Sequence, residues 1–60
     1  MAKLFCIVHK FNRKKTTDFL SYNKCLDLFN NQDKVYRKTH KIMEEKDYYK
    51  MIRNFSNDQL

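Results

Sequence analysis

The 60 residues carry 13 Lys and Arg against 7 Asp and Glu, a formal net charge of +6, and contain no Gly, Pro or Trp. A chain this short makes one small basic domain, residues 1–60, with little room for a water-excluding catalytic pocket. Glycine-rich phosphate loops and GxSxG elbows are excluded outright and HExxH is absent, so no enzymatic activity and no cofactor are expected.

The composition predicts further properties. Phe, Tyr, Met, Ile, Asn and Lys make up 31 of the 60 residues. These residues use A/T-rich codons, which points to an A/T-rich genome such as that of a phage, a virus or a low-GC bacterium. No cleavable leader is recognisable at the N-terminus, and no apolar run approaches the roughly 18–20 residues of a membrane span. Two cysteines are too few for a disulfide scaffold. The expectation is a reduced, cytoplasmic, soluble protein (host cytoplasm if phage or viral), with no membrane partner. Association with itself or with another macromolecule is the expected source of extra stability.

The charge comes in blocks. Residues 1–17 carry +5 with no acid, 18–33 carry −2, 34–42 carry +4 and 43–60 carry −1. Two basic clusters separated by acidic stretches attract polyanions or an acidic protein face.

Residues 3–11, KLFCIVHKF, are the densest run of β-formers. Phe5, Ile7, His9 and Phe11 alternate with Leu4, Cys6, Val8 and Lys10, so both faces of the strand are largely apolar and it should be covered on both. A lone strand leaves its backbone unpaired and needs a partner. Residues 12–15, NRKK, form a turn, with Asn12 the natural residue for a left-handed conformation when Gly is absent.

Two readings follow for the next segment. In the preferred one, residues 17–29 form a helix capped by Thr16 or Thr17, with Phe19, Tyr22, Leu26 and Phe29 at helical spacing and Asn30-Asn31 as the stop. In the other, residues 17–22 close a hairpin in which Ile7 faces Leu20, Phe5 faces Tyr22 and His9 faces Asp18.

Asp33 is placed to cap a second, longer helix over residues 34–55, with Val35, Thr39, Ile42, Lys46, Tyr49 and Ile52 as its stripe. Glu45 and Lys46 interrupt that stripe. The competing reading is two strands, 35–43 and 48–55, favoured by their Tyr, Ile, Val and Thr content. Residues 56–60 read as a frayed tail. The fold class is therefore small α+β: an N-terminal strand or hairpin followed by two helices, the second longer.

The strand-helix-helix order resembles the general layout of ribbon-helix-helix DNA-binding dimers. That likeness implies a strand paired between two protomers and laid in the major groove. The strand departs from that pattern in lacking a polar face, and the helix-helix turn lacks Gly.

The first functional expectation is a small non-enzymatic regulator that binds DNA or RNA. Its phosphate-contacting residues are Lys10, Arg13, Lys14, Lys15, Arg37, Lys38 and Lys41, with His9 and Tyr36 nearby. Cations neutralise phosphate and release counterions, and rings stack or pack on sugars. The alternative is a phage- or virus-type inhibitor or adaptor that binds a host protein. Its anchors would be Tyr48, Tyr49, Met51, Ile52 and Phe55, rimmed by Lys50 and Arg53. Cys6 and His9 have CxxH spacing, but residues three apart on a strand face opposite sides, so no metal site is expected.

Overall fold

The computed structural model describes residues 3–59 of the chain, with side chains described as far as Asn54. Five elements follow in order: β1 (Phe5–His9), α1 (Tyr22–Asn30), α2 (Lys34–Thr39), β2 (His40–Glu44) and α3 (Glu45–Gln59). The class is α+β, with an N-terminal strand followed by helices.

β1 is the centre of the fold. It pairs antiparallel with β2 in the register Phe5↔Glu44, Ile7↔Ile42 and His9↔His40. Lys10 N donates to Thr39 O at 2.8 Å and Glu45 N to Leu4 O at 2.9 Å, so residues 4, 6, 8 and 10 face β2. The other edge of β1 is closed by residues 14–20. Phe5 and Leu20 exchange two backbone bonds of 2.6 Å, Thr16 N donates to Ile7 O at 2.8 Å, and His9 N donates to Lys14 O at 3.0 Å. Thr17 Oγ1 accepts from Ile7 N at 3.2 Å. Every backbone group of the strand is thus paired within its own chain. The intermolecular ribbon implied by the ribbon-helix-helix likeness is not needed.

The burial follows from this position. Among the described residues, Cys6, Ile7, Val8 and Cys25 have 1 % or less of their surface exposed, so three of these four come from β1. Coverage on both faces is what the strand's apolar alternation predicts. Phe5, Ile7 and His9 share a face with His40, Ile42 and Glu44. Ring contacts tie both ends of α1 to that face: Tyr22 lies 5.2 Å from Phe5, and Phe29 reaches Tyr36, which stacks on His40 at 3.8 Å. Cys25 and Phe29, four apart, form the inward face of α1, with Tyr22 at its exposed margin.

Three local expectations are corrected. The first helix starts at Tyr22, not at residue 17, and its cap is Ser21, whose Oγ accepts from Lys24 N at 3.3 Å. Thr16 and Thr17 serve the edge of β1 instead. The hairpin alternative has the right direction but the wrong register: Phe5 meets Leu20 and Val8 meets Lys15. The partner numbers sum to 25 at one bridge and 23 at the other, so two extra residues bulge between them. The left-handed residue of the turn is Arg13, at φ 60°, not Asn12. Asn12 spends its Oδ1 on Lys14 N at 2.8 Å, fixing the turn one residue earlier.

The long second helix over 34–55 is divided. Asp33 does cap α2, its Oδ1 accepting from Tyr36 N at 2.8 Å. After Thr39 the chain turns extended and becomes β2. Side chains close the helix end in place of a glycine. Thr39 Oγ1 donates to Val35 O at 2.9 Å, and His40 Nδ1 bonds Tyr36 O at 2.9 Å. The two-strand alternative holds for part of its first strand and fails for its second, which is α3. Glu45 and Asp47 place negative charge in the first turn of α3. α3 extends to Gln59 and takes in most of the segment set aside as a tail, whose side chains, like that of Phe55, lie outside the described residues.

Candidate nucleic-acid interface

Folding brings together cations that are far apart in the sequence. An open cleft of about 450 Å³ lies between the His9 end of the sheet and α3. Its upper wall holds His9, Lys10 and Arg13, from the end of β1 and the turn. β2 contributes Lys41 and Met43, and α3 contributes Asp47, Lys50, Met51 and Asn54. Four cationic side chains stand against one carboxylate. The half-buried Met43 and Met51 give the cleft apolar, adaptable surface.

Each element positions its share for a local reason. Val8 pairs with Lys41 and Cys6 with Met43, so Lys10, Lys41 and Met43 project from one face of the sheet. On α3, Asp47, Lys50, Met51 and Asn54 recur three and four apart and form one stripe. The turn is held by His9, whose Nδ1 accepts from Phe11 N at 3.1 Å and Asn12 N at 3.2 Å. Those bonds assign its ring proton to Nε2. His40 has the opposite assignment: its Nδ1 faces Tyr36 O, an acceptor only, and so carries the proton.

A run of ring contacts leads away from the cleft at His9. Phe11 lies 5.6 Å from His9, His9 lies 4.8 Å from His40, and His40 stacks on Tyr36. Phe11 is 76 % exposed although it sits between Lys10 and Arg13, so an apolar ring faces solvent at the cationic rim. The turn is thereby fixed by hydrogen bonds while Lys10 and Phe11 stay exposed.

The expected phosphate contacts divide into two groups. Lys10, Arg13 and Lys41 line the cleft. Lys14, Lys15, Arg37 and Lys38 do not, and Lys15 instead lies 4.4 Å over the Phe19 ring. Of the expected protein-binding anchors, Tyr48 and Tyr49 pack against Phe19 at 5.7 and 5.5 Å. Tyr49 remains 54 % exposed. Met51 belongs to the cleft, Ile52 is half-buried, and the Phe55 side chain lies outside the described residues. Sequence reasoning missed Met43, Asp47 and Asn54, and it named Lys50 only as a rim residue of another surface. The helical stripe 47-50-51-54 was legible, but its meeting with Lys10 depends on the pairing of β1 with β2.

The thiols take no part in the site. Cys6 and Cys25 are free and buried, and burial pushes both above the ordinary thiol value of 9.0. Among the described residues no three His, Cys, Asp or Glu side chains are grouped to hold a metal ion, and no helix is long and apolar enough to cross a membrane. No family model, no curated protein and no solved structure matches the chain.

Proposed function

We propose that this is a non-enzymatic basic regulatory protein of the cytoplasm that binds nucleic acid in the cleft between the sheet and α3. The observation that carries the reading is the convergence of Lys10 and Arg13 with Lys41 and Lys50 around one concave surface. Cations on a solvated face have no reason to converge, because like charges brought together repel. A polyanion makes that arrangement favourable by neutralising several at once and releasing counterions. Exposed Phe11 at the rim adds a ring on which a base or sugar can rest. Outlying Lys14, Lys15, Arg37 and Lys38 then extend the positive field that guides encounter.

The test is a salt titration of binding to generic labelled DNA and RNA, using protein stripped of co-purified nucleic acid. Micromolar binding that collapses between low and moderate salt supports the reading, and the two probes decide DNA against RNA. No binding at low salt refutes it.

A second reading rests on a separate observation. The cluster of Phe19, Tyr48 and Tyr49 leaves Tyr49 more than half exposed, as an aromatic anchor for a host protein would be. In that reading the chain is a phage- or virus-type inhibitor or adaptor, and its binding is largely insensitive to salt.

A further inference from the structure

We infer that the chain pairs with a second copy of itself through the outer edge of β2, about a two-fold axis at Ile42. The inference begins from strand parity. Thr39 and Glu45 bond β1, so residues 39, 41, 43 and 45 turn their backbone groups toward β1. His40, Ile42 and Glu44 therefore turn theirs away from it. On the opposite edge of the sheet, residues 14–20 close β1 completely. Nothing among the described residues closes the Ile42 N–H and C=O. A two-stranded sheet is marginal by itself, and an open edge recruits another strand.

The sequence of the edge selects the occupant and the register. Antiparallel pairing of two β2 strands about Ile42 sets Ile42 opposite Ile42 of the second copy and His40 opposite its Glu44. All three outward residues of each copy are then paired. Sliding the register by one step either way leaves only two paired. One of those slides also sets the two Lys41 side chains directly opposite each other, which is repulsive. The two-fold register instead places Lys41 against Met43 and puts an imidazole across from a carboxylate twice. The charges suit it: Glu44 already holds Lys3 at 3.7 Å on the same face, and His40 uses Nδ1 within its own chain. The edge is thus complementary to itself, as an isologous interface requires. The product is a continuous sheet of four strands with the two β2 strands at its centre.

The interface is small, so association is weak and is measured by sedimentation across roughly 10 µM to 1 mM protein. The mass is expected to rise toward twice that of the monomer. Glu44→Lys sets Lys against His40 and is expected to weaken association at least about tenfold. Combining it with His40→Glu sets Lys against Glu again and is expected to restore most of the loss. Chemical N-methylation of Ile42 removes one outward N–H and leaves the bonds to β1 untouched, so it is expected to give a folded monomer. The wild-type chain supplies a check free of substitutions. In a mixed labelled and unlabelled sample, an intermolecular NOE is expected between Hα of Lys41 and Hα of Met43, which face each other in this register and are distant within one chain. A monomer throughout the concentration range overturns the inference. So does a dimer without that NOE, or one indifferent to N-methylation of Ile42.

Discussion

Replacing three cleft lysines separates a nucleic-acid site from a merely basic surface. Lys10, Lys41 and Lys50 are exposed and line the cleft. Changing all three to Gln lowers the formal charge from +6 to +3. Lys14, Arg37 and Lys38 are also exposed, lie outside the cleft, and give the same +3 when changed to Gln. Each phosphate neutralised contributes about 0.9 to the slope of log K against log salt on duplex DNA and about 0.7 on single strands. Loss of three contacts therefore flattens the slope by about 2.7 on a duplex, or about 2.1 on a single strand. At 0.1 M salt the duplex figure corresponds to about 2.7 decades of affinity, or about 3.7 kcal/mol, as an upper bound. The control variant is expected to lose less than about one unit of slope, since it keeps the cleft and weakens only the field. Fluorescence anisotropy with labelled oligonucleotides gives both slopes, and circular dichroism checks the fold. Exposed substitutions of this kind change stability by about 0.5 kcal/mol or less. Equal losses in the two variants would refute the reasoning, because net charge alone would then account for binding.

Three further outcomes are expected. His9→Ala removes the acceptor for two turn amides and should cost about 1 kcal/mol in a urea titration; His9→Asn, whose Oδ1 takes the place of Nδ1, should recover most of it, and equal losses would remove His9 from its role in the turn. Asp33→Ala removes the cap of α2 and should cost about 1 kcal/mol; an unchanged urea midpoint would show that α2 is held by packing alone. Cys6 and Cys25 have thiol pKa values raised by burial, so the folded chain holds their protons more tightly than the unfolded chain does. Their contribution is present in full below the ordinary value of 9.0 and is lost as pH rises toward the folded values, so alkaline destabilisation should set in above pH 9. Thiol-specific reagents at neutral pH should react only as the chain opens, and rapid reaction of the native protein would contradict the burial.

Some of this protein is written in its local sequence. The alternation of Phe5 to His9 with apolar residues on both faces specifies a strand covered on both, and Cys6, Ile7 and Val8 are indeed its core. Asp33 specifies a helix start, and Asn30-Asn31 a helix stop, because capping is a matter of a few neighbouring atoms. The stripe on α3 and the two basic clusters are likewise legible, since spacing and charge need no knowledge of the fold.

The remainder was decided by pairing between distant residues. Residues 40–44 fit a helical stripe and have enough Ile, Thr and Val neighbours to fit a strand. Local propensities differ by less than about 1 kcal/mol per residue, and a few ladder hydrogen bonds to β1 outweigh that. The same demand from β1 drew residues 17–20 out of the predicted helix and made Thr16 and Thr17 edge partners instead of caps. The cleft follows from those pairings. Lys10 and Lys41 are 31 positions apart, and only the β1–β2 register and the direction of α3 bring them to one surface. Composition and periodicity determined that the protein is a basic α+β domain with a buried first strand. Which cations face a common ligand was settled by long-range backbone pairing, whose energy does not appear in any window of neighbouring residues.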